Sequence, residues 1–273
     1  MDVSRTEVQY GDPMIAKTAI DDLPPELAKE LLRTDSIVRS YLAGLSFIVQ
    51  DTGRDPDYVS NHLLSYLAQD ILQSAISVLS LATEGLLNVA KRELRFLLEA
   101  SIKVCFVQRE SYTSTVEQKL AEFEKILSSQ RISVKNNLVL SLMTDTLNSE
   151  FAEEVGRLYG VTSSYVHLTP SQILASIDAA EAGVTAGKER PEDIENLNSI
   201  AERVMAASLV LLLHSVPDWV AGDWLVESNG QSIGWHFAGS RFIAGIDAHF
   251  DYKHERQATL PDIQQVRESR VRF

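Results

Sequence analysis

The chain has 273 residues, 45% hydrophobic and 23% charged, which is enough for a substantial core and ordinary for a globular protein, so general disorder is not expected. Against 25 Lys and Arg stand 38 Asp and Glu, a formal charge of −13 that disfavours constitutive binding to phosphate backbones or anionic lipid while leaving a local basic groove open. One cysteine, Cys105, permits no intrachain disulfide, the start MDVSRTEVQYGDPM has no secretory apolar stretch, and the longest apolar run is the short AASLVLLL, so a soluble cytoplasmic protein with no membrane association is expected.

Residues 1–21 are expected to be a flexible N-terminal segment. From Asp22 to about residue 50, Pro24 and Pro25 suit a helix start, and Leu27, Leu31, Val38, Leu42, Leu45 and Val49 recur at helical spacing until Asp51-Thr-Gly53. Asp55 as N-cap and Pro56 at the first helical position open a second helix, with the stripe Val59, Leu63, Leu67, Ile71, Ala75 and Leu79. The third helix, 84–109, is amphipathic: Leu87, Ala90, Leu94, Leu97, Leu98 and Cys105 crowd one side, and Asn88, Arg92, Arg95, Glu99 and Lys103 share the other. Glu93 breaks the pattern by lying beside Leu86, Ala100 and Val104, which demands a partner, a proton or solvent.

Helices are next expected at 114–129 and 149–159, the latter capped by Ser149, buried through Phe151, Val155 and Leu158, and stopped by Gly160. Thr169-Pro-Ser-Gln172 reads as a capping box opening a helix to about Ala182. GVTAGKERPED reads as a mobile link, and a long helix from Pro191 to about Ser215 ends before Pro217. Beyond it the pattern changes. The run 224–238 reads as a β-hairpin about Asn229-Gly230, and 241–252 as a third strand. Trp219, Trp224, Trp235, Phe237 and Phe242 either hold that hairpin to the body or form a partner surface. The fold class is therefore mainly α: a bundle of six or seven helices over 22–217, a small β-hairpin appendage over 218–252 and a loose tail over 253–273.

The junction RLYGVTSSYVHLTP, residues 157–170, concentrates polar groups. With Gly160, Thr169 and Pro170 read as punctuation, Arg157, Tyr159, Ser163, Ser164, Tyr165 and His167 remain. They either satisfy the backbone of a helix–helix turn or form a cluster facing Arg95 and Glu99, with His167 as acid, base or phosphate-side donor. Ser164 also lies near His167 in sequence, although no nucleophile elbow or oxyanion loop accompanies the pair. The candidate catalytic set is His167, Arg95, Glu99, Tyr159 and Ser164. A separate metal candidate is Asp247, His249 and Asp251, which a strand would point to one side as three ligands of a divalent ion; a solvated edge strand is the alternative. No glycine-rich phosphate loop occurs, so no cofactor is expected beyond that ion.

Arg95-Phe-Leu-Leu-Glu99 in a core helix, followed by Tyr159…Ser163-Ser164-Tyr165-Val166-His167, resembles the pattern of uncharacterised bacterial all-helical families similar in outline to the HEPN superfamily. The resemblance covers roughly residues 55–215. It implies a helical module of the kind found as ribonucleases and as non-catalytic partners in toxin–antitoxin and antiphage systems. Catalytic members carry an Arg and a His on one helix with four to six residues between them. Here nine residues separate Arg157 from His167 and seven separate Arg241 from His249, so the resemblance implies a docking partner rather than a nuclease. The leading expectation is thus an interaction or regulatory module that self-associates and docks on a partner protein. The alternatives are a metal-independent ribonuclease using His167 with Arg95 and Glu99, and a metal-binding protein.

Overall fold

The computed structural model describes residues 13–15, 20–110, 112–128, 138, 140–166, 170–181, 183, 187 and 189–273. Its helices are α1 (Pro25–Thr52), α2 (Tyr58–Asn61), α3 (Leu64–Thr83), α4 (Leu87–Glu110), α5 (Val116–Ser128), α6 (Asp145–Ser163), α7 (Pro170–Glu181), α8 (Pro191–Ser215), α9 (Asp218–Leu225), α10 (Arg241–His249) and α11 (Leu260–Arg270). Helices α1, α3, α4 and α8 pack in a ring, each against two neighbours, and form a four-helix bundle. Helix α6 lies across α4 and α8, and the C-terminal helices α9 and α10 close the other side of α8.

Helix α8 is the axis of the core. Every residue from Val204 to Ser215 is buried, as expected for a helix apolar all round. It is long and apolar enough to cross a membrane, and 83% of its most apolar window is covered by the rest of the protein. Pro191 at its first turn needs no hydrogen-bond partner, and Asp193 accepts the Arg190 N–H at 3.1 Å. Polar atoms inside the bundle satisfy one another: Ser208 Oγ meets Tyr41 Oη at 2.8 Å and Ser101 Oγ at 2.7 Å.

Two helices differ in extent from the sequence reading, each for a physical reason. The second helix is split at His62, whose backbone is extended, and its first turn is the short α2. Helix α6 starts four residues before Ser149, with Thr144 Oγ accepting the Leu147 N–H at 3.4 Å, and it passes through Gly160. Glycine there costs about 1 kcal/mol relative to alanine. Burial of Leu158 and of Thr162, one turn further on, carries the helix across it. The capping-box residue Thr169 lies outside the described residues, as does most of segment 1–21.

Helix replaces the expected third strand, and the expected hairpin is reduced to a turn between short extended segments that ends in a 3-10 turn at His236–Gly239. Residues 218–225 form α9 and 241–249 form α10; the only pairing in this region is a lone antiparallel bridge between Val226 and Ser232. Asn229-Gly230 does turn the chain, with the Gly230 N–H bonded to the Glu227 carbonyl at 2.8 Å and Gly230 at φ +81°. Asn229 has no positive φ, so the turn is not type I′: Ser228 and Asn229 are its central residues, and Gly230 follows in the left-handed region. The pairing beyond it amounts to the Glu227 N–H on the Gln231 carbonyl at 2.8 Å and the Ile233 N–H on the Leu225 carbonyl at 3.0 Å. Trp235, Phe237 and Phe242 are buried, which makes the aromatic cluster chiefly core. Gly44 in α1 makes room for the Trp235 ring: a Cβ there would lie 2.6 Å from Cζ2. Nor is the tail loose, because α11 docks through Ile263 and Arg267.

Candidate functional site

Helix α4 carries Lys91, Arg95, Glu99 and Lys103 at intervals of four, so successive side chains are neighbours in a row that winds slowly round the helix. Opposite it runs α6, antiparallel, bringing Tyr159 against Arg95 and Tyr165 against Lys91. The Arg95 guanidinium lies 3.1 Å above the centre of the Tyr159 ring, and Lys91 Nζ lies 4.5 Å from that of Tyr165. Lys91 also donates to Tyr165 Oη at 3.3 Å, and exposed Arg92 donates through Nε to the Tyr165 carbonyl at 2.7 Å. A flat cation over a π face is attracted by the ring quadrupole, and more strongly where water is excluded. Arg95 is only 8% exposed.

The charges of this face are paired within it. Arg95 Nη2 meets Glu99 Oε2 at 3.1 Å, and Lys103 Nζ meets Glu99 Oε1 at 2.6 Å. Burial works against the ionised Glu99, but the Lys103 hydrogen bond and the charges of Lys103 and Arg95 outweigh it and hold the carboxyl below its usual range. Beside this pair, Arg95 Nη1 and Ser163 Oγ are buried without hydrogen-bond partners. Ser164 donates its hydroxyl to the Val161 carbonyl at 2.7 Å and so closes the end of α6.

Of the five candidate catalytic residues, Arg95, Glu99 and Tyr159 converge, Ser164 is engaged by the helix end, and His167 lies outside the described residues. The sequence reading missed Lys91. Its spacing of four from Arg95 was the available signal, since residues four apart share a helix face. Glu93, read as an intrusion among apolar neighbours, is half-buried rather than enclosed.

The metal candidate does not assemble. Asp247, His249 and Asp251 share one side of a strand, but on α10 and the turn after it His249 points away and is exposed. The two carboxylates instead grip two arginines. Asp247 Oδ1 meets Arg256 Nη2 and Oδ2 meets Arg267 Nε, both at 2.6 Å, with Ser232 Oγ donating to Oδ2. Asp251 binds Arg256 Nη1 at 2.9 Å and Arg267 Nη1 at 3.0 Å. Burial raises the Asp251 pKa, and the bonds from Arg267 and Arg256 bring it below the ordinary value. Guanidinium groups thus fill the role a cation would have had, and no cluster of three metal-ligating side chains is present among the described residues.

A second buried polar group was also missed. His62 Nε2 lies 3.0 Å from Asp55, and the Lys119 ammonium donates to the carbonyls of Tyr112 at 3.0 Å and Ser114 at 2.6 Å. Both His62 and Lys119 are closed off from solvent, and Lys119 also donates to the Asn61 carbonyl at the end of α2, which ties α2 to the start of α5.

The surface offers more than the interior. Among the described residues helix α7 makes only sparse contacts with the other helices, and Ile173, Leu174 and Ile177 are 45%, 61% and 48% exposed on it. On α4, Val89 and Phe96 also face solvent. No family model, no curated protein and no solved structure matches the chain.

Proposed function

We propose that this chain is a protein–protein interaction module whose docking element is α7. The observation that carries the reading is the outward apolar face Ile173, Leu174 and Ile177, on a helix with little packing of its own. An amphipathic helix of this kind is the element that fits an apolar groove on a partner. Asp178 and Glu181 flank the face and α7 bears no basic residue, so the groove it suits is apolar with a basic rim. The internal pairing of Arg95, Glu99 and Lys103 along α4 fits the same reading, because it holds Arg95 over the Tyr159 ring, where it braces α6 against α4. By the resemblance noted above, a toxin–antitoxin or antiphage assembly is the setting in which such a module would act.

The test compares tagged wild type with an Ile173→Ser/Leu174→Ser/Ile177→Ser variant that keeps its helical circular dichroism. The expected result is a stoichiometric partner that accompanies the wild type and is lost from the variant. Identical co-purification by both, or no companion for either, would overturn the reading.

One observation favours a second reading, metal-independent RNA cleavage: Arg95, Glu99 and Tyr159 do converge, and Arg95 keeps an unpartnered Nη1. Cleavage that persists in chelator and vanishes in His167→Ala would support it, and inert RNA would remove it.

A further inference from the structure

Along the outward side of α4, exposed Val89, Arg92 and Phe96 and half-buried Glu99 and Lys103, the last 6.0 Å from the Phe123 ring centre, follow one another at alternating intervals of three and four, the spacing of a helix-pairing seam. At roughly 100° per residue they occupy one face, and Phe96 at its centre is 45% exposed. The seam is self-complementary. Counting outward from Phe96, a cation stands four residues before it and a carboxylate three residues after it, and Val89 and Lys103 lie seven to either side.

We infer that the occupant of this face is a second copy of the chain, with α4 packed antiparallel to its own counterpart about a two-fold axis at Phe96. This adds a second interface, on α4, to the α7 surface proposed above and stands independently of it. A two-fold axis perpendicular to both helices keeps each flank on its own side. It therefore sets Phe96 against Phe96 of the other copy, and Arg92 against its Glu99. Lys103 has a long methylene stem to lay over Val89. On the opposite flank Glu93 meets Ala100, with no like charge facing it. Within one chain Arg92 gives its Nε–H to Tyr165, and no ion pair of Arg92 occurs among the described residues, so its two terminal nitrogens are available to the partner copy. Glu99, with its side chain 38% exposed, has room for a further donor.

Sedimentation velocity on the full chain at micromolar concentrations decides the matter. The wild type is expected to sediment as a dimer and Phe96→Asp as a monomer. Arg92→Glu and Glu99→Arg alone should each weaken association by about tenfold or more, and the double exchange should restore it, since opposite charges then face each other again. Circular dichroism of each variant checks that the helices persist, and Val89→Lys supplies an independent disruption of the same seam. A monomeric wild type, a dimer indifferent to Phe96→Asp, or a double exchange without recovery would overturn the inference. A monomer that still loses a foreign partner when the α7 face is substituted would sink self-association and spare the docking reading. A dimer whose α7 face captures nothing would do the reverse.

Discussion

Arg95 illustrates how little a residue's type says about its surroundings. Its place on the polar side of the helix containing Glu99 was legible from spacing alone, and the i,i+4 pair is present. Its burial was not legible, because the covering element is α6, some sixty residues away. Packing of Tyr159 over the guanidinium should make the two side chains energetically coupled. A double-mutant cycle with Arg95→Ala and Tyr159→Ala is expected to give about 1–2 kcal/mol of coupling in urea unfolding, the range of a largely desolvated cation–π contact. Additive losses would show that the ring is a mere neighbour.

His214 gives a second prediction at this scale. Its Nδ1–H donates to the Val210 carbonyl at 2.7 Å, and Nε2 accepts the Leu142 N–H at 3.2 Å, so the neutral ring is fixed in one tautomer. Burial, aided by the charges of Arg109 and His249, pushes its pKa down to about 4. The folded value lies below the ordinary value of about 6.5, so the unfolded chain binds the proton more readily. Stability from this residue is therefore complete above about pH 6.5 and falls by about 3 kcal/mol as the pH drops through 4. Urea titrations of wild type and His214→Gln at pH 7 and pH 4 should show a clearly steeper loss in the wild type. Equal pH dependence would remove the claim.

At the scale of elements, the long helices were readable because their apolar stripes recur over many turns. Helix α8 needed nothing more than its proline start and its unbroken apolar run. The C-terminal part was misread because Val, Ile, Trp and Phe are both strand formers and good core residues, and short apolar runs do not distinguish the two. What fixes α10 and α11 is a long-range electrostatic clasp: Asp247 and Asp251 against Arg256, which is fully buried, and Arg267. Removing one member of such a set leaves an uncompensated buried charge. Asp247→Ala is expected to cost about 3–5 kcal/mol in chemical denaturation, and to expose residues 257–273 to protease before the bundle unfolds. A loss under about 1 kcal/mol, or unchanged proteolysis, would mean that the clasp is incidental.

For the whole molecule, a bundle around a central helix with an apolar C-terminal half follows directly from the sequence pattern, whereas the outward-facing stripes on α4 and α7 do not. In sequence, Ile173, Leu174 and Ile177 look like any buried stripe, and only the structure reveals that they are 45%, 61% and 48% exposed. Among the described residues, buried charges such as Arg95, Asp247, Arg256 and Arg267 are met by opposite charges within the chain while apolar helix faces turn outward, which is why docking rather than catalysis is the reading proposed. The most direct measurement places a photoreactive amino acid at Leu174 in the intact chain within producing cells, with Glu26, an exposed residue of α1, as the control position. The account predicts a discrete covalent adduct with another protein chain from Leu174 and none from Glu26. No adduct at Leu174, or the same products from both positions, would contradict it.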